Sequence, residues 1–162
     1  MLRGLVKLIR YMDGLTGPAD LDTVQSLLEK ADVLPSDMIE ACKFHNARYA
    51  RNLLAKGPWY QLLVICWRVG QSSPIHDHIG SACGVRVVQG VATETVYRTT
   101  GSGRVTPTAH REFSQGQVVL SEDTDIHLIT NQHPDQDLIT LHLYTPPLNM
   151  RYYQLEGQWD DS

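Results

Sequence analysis

The sequence predicts a mainly β chain, a barrel or sandwich of short antiparallel strands set behind short N-terminal helices. Two observations predict it. From about residue 47 onward, short runs rich in Val, Ile, Thr and Tyr recur at even spacing between turn residues. Before that point the apolar residues recur at three- and four-residue intervals, the period of a helix.

The elements follow in order. Leu2, Leu5, Leu8 and Ile9 mark a helix over 2–11, and Leu21, Val24, Leu27 and Leu28 mark a second over 20–31. Pro35-Ser36-Asp37 suits a third helix start, with Met38, Ile39 and Cys42 on its apolar side and an end before Asn46. Strands are expected over 61–67, 85–89, 93–98, 117–121, 125–129, 138–144 and 151–155, with Gly101-Ser102-Gly103 as a hairpin tip. There is no repeat, low-complexity tract or composition break. The 162 residues therefore read as one domain, helical over about 1–45 and a barrel over about 47–156. A domain near this size buries about 70% of its unfolded surface.

Composition excludes several classes of function. A net charge of −4 without a long basic run argues against nucleic acid as a partner, because phosphate binding needs clustered Lys and Arg. Arg3, Lys7 and Arg10 interrupt the first apolar segment, so it does not read as a signal peptide, and no later run is long enough to span a bilayer. Cys42, Cys66 and Cys83 are sparse and odd in number, which fits a reducing compartment without a disulfide framework. A cytoplasmic monomer with no membrane partner is the expectation.

The chemistry concentrates in His76-Asp77-His78. Two histidines at i and i+2 of an extended segment face the same way, so both imidazoles can reach one metal ion. The frame is specific: Gly70, five residues, His76, one residue, His78, four residues, Cys83, six residues and Gly90 match the spacing of the first cupin motif. Cys83 stands where many cupins carry a metal-binding Glu. Gly116 begins a looser match to the second motif, which ends in His127, three residues and Asn131, with Glu122 and Thr124 in place of the usual Pro and Gly. His127 becomes the third candidate ligand. Three neutral imidazoles leave a divalent ion its full charge and open positions, so an anionic substrate must complete the shell, and a thiolate is the natural candidate. Zinc accepts the same three ligands, so ligand count does not fix the metal.

Taken with Tyr49-Ala50-Arg51-Asn52-Leu53 and the run Thr140-Leu141-His142-Leu143-Tyr144-Thr145-Pro146-Pro147, these motifs resemble the type I cysteine dioxygenases over about residues 47–153. The resemblance implies a cupin, or small jelly-roll, barrel and an iron-dependent enzyme that oxidises L-cysteine with dioxygen to cysteine sulfinic acid. It implies that His76, His78 and His127 bind Fe(II). It places Arg51, Tyr49 and Thr140 on the substrate side, with Arg51 gripping the substrate carboxylate through two charge-assisted bonds. Tyr144 and His142 take the catalytic positions, with Thr140 completing the hydrogen bonds around the tyrosine, and positions 140, 142 and 144 share one face of a strand. Cys83 matches the cysteine that, in the animal enzymes, forms a thioether with that tyrosine.

The chain departs from the animal pattern at Ala82, where those enzymes have His, at Gly84, where they have a bulky residue, and at Arg151, where a pocket cysteine falls. The nearest alternative is a 3-mercaptopropionate dioxygenase, which generally has Gln at the position of Arg51. A cupin metalloenzyme with other chemistry and a non-catalytic small-ligand-binding cupin are further alternatives, since one barrel hosts many functions. Cys42 and Cys66 read as core residues. His45, His110 and His133 read as surface or structural, and Tyr152, Tyr153 and Trp159 as packing residues of the barrel or its tail.

Overall fold

A computed structural model describes residues 3–122 and 124–157. Helix α1 (Val6–Asp13) follows a 3-10 turn at Arg3–Leu5, and α2 (Leu21–Glu29) starts where the Asp20 carboxylate accepts the Thr23 amide at 2.9 Å. Eight strands follow: β1 (Ala50–Gly57), β2 (Tyr60–Trp67), β3 (Ala82–Gln89), β4 (Val91–Thr99), β5 (Val105–Ser114), β6 (Val118–Ser121), β7 (Ile126–Thr130) and β8 (Leu138–Thr145). All pair antiparallel. They form a five-stranded sheet in the order β1-β2-β8-β3-β6 and a three-stranded sheet in the order β5-β4-β7. This is the mainly β, cupin-type jelly roll, although its two sheets do not close into one continuous ladder. Isolated bridges pair the irregular segment before β3 with β7, Ser72 with Thr130 and His76 with His127.

The pleat of β2 and β8 decides where chemistry can sit. Both strands are central, and every residue of β8 is buried, so each of their faces needs a cover. Leu62, Val64 and Cys66 of β2 and Ile139, Leu141 and Leu143 of β8 pack against Leu5, Leu8, Met12, Val24 and Leu28 from the helical part. The alternate residues Leu63, Ile65, Trp67, Leu138 and Tyr144 pack with Val85, Val87, Ala92 and Ile129. Thr140 and His142 share that second face by the same alternation. One face of the large sheet is thus a dry seat for the helices, and the other is the interior of the sandwich.

Two glycines mark close approaches. A Cβ on Gly84 would lie 2.5 Å from Leu28 Cδ1 and 2.6 Å from Val24 Cγ1, so α2 seats directly on β3 there. This explains the missing bulky residue. Gly90, at φ +88°, turns β3 into β4 where a Cβ would lie 2.8 Å from the Asp137 carbonyl oxygen.

Several expectations change. The third helix is only a 3-10 turn at Pro35–Met38. Strand β1 was not expected, because Ala-Arg-Asn-Leu-Leu-Ala-Lys-Gly has little β character, and as an edge strand it needs little. Strand β5 escapes the apolar pattern for a related reason: it is largely exposed and carries Pro107 beside a register shift, which an edge strand tolerates. The expected strand over 151–155 is absent as a strand, and only single bridges, Tyr152 with His76 and Leu155 with Val105, survive there. The hairpin tip at Gly101-Ser102-Gly103 is present between β4 and β5. No helix among the described residues is long and apolar enough to cross a membrane.

Candidate metal centre

The segment 70–78 runs beside β7 through five backbone contacts. Gly70 donates to the Asn131 carbonyl at 2.8 Å, Asn131 to Gln71 at 3.0 Å and Ser73 to Ile129 at 2.9 Å, and His76 and His127 exchange bonds of 3.0 and 2.9 Å. That ladder brings a histidine from each motif face to face. His78, two residues on, joins them from the same side, with ring centroids 4.7–4.9 Å apart across the three pairs. All three rings are buried, and each offers a nitrogen within 4.8 Å of the others. The remaining side chain of the second motif, Asn131, is a tie rather than a ligand: its Nδ2 donates to the Trp67 and Gln136 carbonyls at 3.1 and 2.9 Å.

Hydrogen bonds fix which nitrogens point inward. His76 Nδ1 lies 2.7 Å from the Pro74 carbonyl, which only accepts, so that nitrogen carries the proton and Nε2 keeps its lone pair. His127 Nδ1 donates to Glu94 Oε2 at 2.9 Å, which leaves a buried Nε2 with no partner among the described residues. His76 Nε2 and His78 Nε2 face each other at 3.2 Å. Burial first, and the neighbouring His127 next, push His76 down to about 4 and His78 to about 2, so both rings stay neutral at physiological pH. Three imidazole nitrogens converging in a buried space, with His127 Nε2 lacking a partner among the described residues, are what a divalent cation fits.

The carboxylate missing from the ligand set stands one layer behind. Glu94 on β4 is 2% exposed and lies diagonally across the β4–β7 ladder from His127, whose direct partner is Val96. Its other oxygen takes the Arg111 guanidinium. Burial alone would raise the Glu94 carboxyl, but the His127 bond and Arg111 outweigh it and hold it below its usual range, hence ionised.

A narrow pocket opens over the three histidines. Its wall includes Tyr49, Arg51, Cys83, His142 and Tyr144, residues that the family resemblance singles out. Thr140 does not line it. It is wholly buried behind His142, so its part is to hold side chains that do. The bonds there have a direction. Trp67 Nε1 can only donate, and it occupies Thr140 Oγ1 at 2.9 Å. The Thr140 proton then goes to His142 Nε2 at 2.8 Å, a far better acceptor position than the Ile65 carbonyl at 3.5 Å. His142 Nδ1 consequently carries the ring proton and donates to the Tyr144 hydroxyl oxygen at 3.1 Å. The Tyr144 O–H then has its own proton to donate, and the Cys83 thiol across the β3–β8 ladder is within hydrogen-bond reach of it. Burial keeps His142 well below and Tyr144 well above their ordinary values, so both remain neutral throughout. Cys83 sits opposite Tyr144 in the β3–β8 register, lies outside the histidine cluster, and has its thiol pushed up by burial.

No sequence motif assigns a role to Glu94, Trp67, Asp77 or Met150. Trp67 stacks on Tyr49 at 4.7 Å and 12°, and Met150 lines the pocket. Asp77 is buried and accepts from Arg151 and Tyr153, so Arg151 turns away from the pocket instead of filling the family's cysteine position. Tyr152, expected to pack, is 63% exposed, and Trp159 lies outside the described residues. His45, His110 and His133 do not line the pocket and bond the Ala47 amide, Thr95 and the Gln136 amide, and Cys66 and Cys42 belong to the helix-side core.

The family model described as cysteine dioxygenase type I matches residues 3–154. The chain belongs to the cysteine dioxygenase type I family. Among curated relatives, cysteine dioxygenase type 1 of Danio rerio is 32% identical over 134 residues, 79% of this chain and 66% of that protein. Those of Rattus norvegicus and Homo sapiens are 30% and 29% identical over 153 residues, 91% of this chain and 76% of theirs. Solved structures agree on the fold. A conserved Klebsiella pneumoniae protein with a double-stranded β-helix domain superposes with a TM-score of 0.61 at 15% identity, covering 76% of this chain and 93% of its own. The cupin domain of Schizosaccharomyces pombe Cnp3 gives 0.55 at 12%, covering 67% and 71%.

Proposed function

We propose that this member of the family is an Fe(II)-dependent dioxygenase that converts L-cysteine and dioxygen to cysteine sulfinic acid, with both oxygen atoms ending on sulfur. The observation that carries the reading is the conjunction, in one pocket, of three converging imidazoles with no carboxylate among them, and an arginine, Arg51, on the same wall. His76, His78 and His127 hold the iron. Bound there, Fe(II) supplies open coordination positions and the electron density that activates dioxygen.

The protein's own residues do the rest. Three neutral ligands leave a positive site, which favours a thiolate over a thiol and so draws the substrate into its anionic form. Arg51 takes the substrate carboxylate and fixes the direction of the carbon chain, which holds sulfur over the histidines. The buried walls, Ile65, Val85 and Ile129 among them, exclude water from the reacting sulfur. Tyr144, oriented by the Trp67–Thr140–His142 chain, offers its O–H to the oxygen atoms being transferred. Cys83 and Tyr144, cross-strand partners, are placed to form a thioether during turnover, with two hydrogens lost to dioxygen as oxidant.

The test is anaerobic loading with Fe(II), followed by oxygen uptake and product analysis with L-cysteine and with 3-mercaptopropionate. Cysteine should be used by far the better of the two, with one dioxygen consumed per sulfinate formed. A preference for 3-mercaptopropionate would overturn the substrate, and no thiol-dependent uptake by iron-loaded protein would overturn the activity.

A further inference from the structure

Every residue lining the pocket is buried except Tyr49, Arg51 and Met150, so these three form its mouth. Tyr49 is held flat against Trp67 and Arg51 is the proposed carboxylate anchor, but Met150 has no part in the chemistry above. How it is held is therefore informative. Met150 lies beyond the end of β8, in a stretch with no regular ladder to fix it. The next residue supplies the fixing. Arg151 places Nε and Nη2 at 2.9 and 2.7 Å from Asp77 Oδ2, its amide reaches Oδ1 at 3.2 Å, and the Tyr153 hydroxyl adds a fourth bond at 2.7 Å. Backbone bonds of 3.0 Å from Asp77 to the Arg151 carbonyl and from Tyr153 to the Ile75 carbonyl lay the two segments side by side.

The anchor's position matters as much as its strength. Asp77 is fully buried and stands between His76 and His78, so the clasp ties Met150 to the same short segment that carries two of the three histidines. The height of the mouth wall above the centre is thereby set by two adjacent residues on each side, not by the whole C-terminal stretch. A buried carboxylate with four donors is costly to leave unpaired, which makes the clasp a fixed device and not a casual surface pair.

We propose that the Asp77–Arg151–Tyr153 clasp makes Met150 a specificity-determining residue, holding its side chain in the mouth that also carries Arg51. The mouth then accepts a short thiol carboxylate and turns away one with a longer carbon chain. This rests on the thiol-carboxylate reading above. Because a hydrophobic wall discriminates one methylene by about 10- to 200-fold, the effect is measurable.

The experiment uses the full chain loaded anaerobically with Fe(II), titrated by calorimetry with L-cysteine and with L-homocysteine, which is one methylene longer. The wild type should prefer cysteine. Met150→Ala and Arg151→Ala should each cut that preference about tenfold, mainly by tightening homocysteine, while Met150→Leu, of similar volume, retains it. Hydrogen exchange at the Tyr153 amide should speed up in Arg151→Ala and stay unchanged in Met150→Ala. An unaltered preference in both alanine variants overturns the inference. So does a loss of iron affinity in Arg151→Ala with the preference intact, since the clasp would then serve the histidines alone. Binding is read without oxygen, so the two readings fail separately: altered preferences in a protein that consumes no oxygen sink the dioxygenase and leave the mouth standing.

Discussion

Replacing Glu94 by glutamine separates the charge behind His127 from the shape that carries it. The amide keeps the size of the carboxylate, and its oxygen can still accept from His127 Nδ1, now at 2.9 Å from a carboxylate oxygen. What disappears is the negative charge, which at 2% exposure is scarcely screened by solvent. A hydrogen bond to a charged acceptor is worth about 1.5–3 kcal/mol against about 0.5–1.5 for a neutral one, so roughly 1–1.5 kcal/mol is at stake. At about 1.4 kcal/mol per decade, that is close to a tenfold loss of metal affinity. It sits at the lower end of the roughly 10- to 100-fold found when the partner of a metal-bound histidine is changed. Arg111, whose side chain is 54% exposed, can turn to water when its partner is neutralised, so the metal-free protein should unfold within about 1 kcal/mol of the wild type. The assay is competition of each protein with a chromogenic Fe(II) chelator, beside denaturant unfolding of the metal-free forms. An affinity within twofold of wild type would refute the reasoning and reduce Glu94 to the partner of a surface arginine.

Four further outcomes follow from named contacts. Arg51→Gln should lower kcat/KM for cysteine about 10- to 100-fold, the loss of one or two charge-assisted bonds, with the unfolding midpoint unchanged; equal kinetics would remove Arg51 from the substrate. Trp67→Phe keeps the stacked ring but deletes the donor that orients the Thr140–His142–Tyr144 chain, so kcat should fall about 3- to 10-fold while anaerobic cysteine binding holds; a KM effect alone would contradict it. Gly84→Val should destabilise by roughly 1–3 kcal/mol in urea, because the added carbons meet Leu28 and Val24 on α2, and an unchanged midpoint would show that the helix shifts freely. Repeated turnover should lower the intact mass of the wild type by two hydrogens and leave that of Cys83→Ser alone; a wild-type mass that never changes would exclude the crosslink.

How far the site was legible depends on whether its residues carry their signal locally. His76 and His78 do, because the two-residue period of an extended chain puts them on one face, and the glycines around them space the turns. Thr140, His142 and Tyr144 share a face for the same reason, but buried side chains of a central strand look like core, and only the family resemblance gives them roles. His127 required the second motif. Glu94 gave no sign, since its meeting with His127 arises from the β4–β7 register, a long-range pairing with no local mark. Trp67 looked like any aromatic in an apolar strand, and its indole N–H acquires meaning only beside Thr140. The elements show the same division: central strands β2 and β8, covered on both sides, advertise themselves by apolar content, whereas edge strands β1 and β5 are polar and invisible to that signal. Residues 151–155 misled in the opposite direction. Their Tyr-Tyr content resembles a strand, but the side chains of Arg151 and Tyr153 serve Asp77 instead of a ladder.

The central claim is that a centre without a carboxylate ligand places both atoms of dioxygen on a thiolate sulfur. Isotopically labelled dioxygen tests it most directly, supplied to the Fe(II)-loaded protein with L-cysteine in unlabelled water. The product should be cysteine sulfinic acid carrying two labelled oxygens. A product with one labelled oxygen or none, or cystine alone, would contradict it.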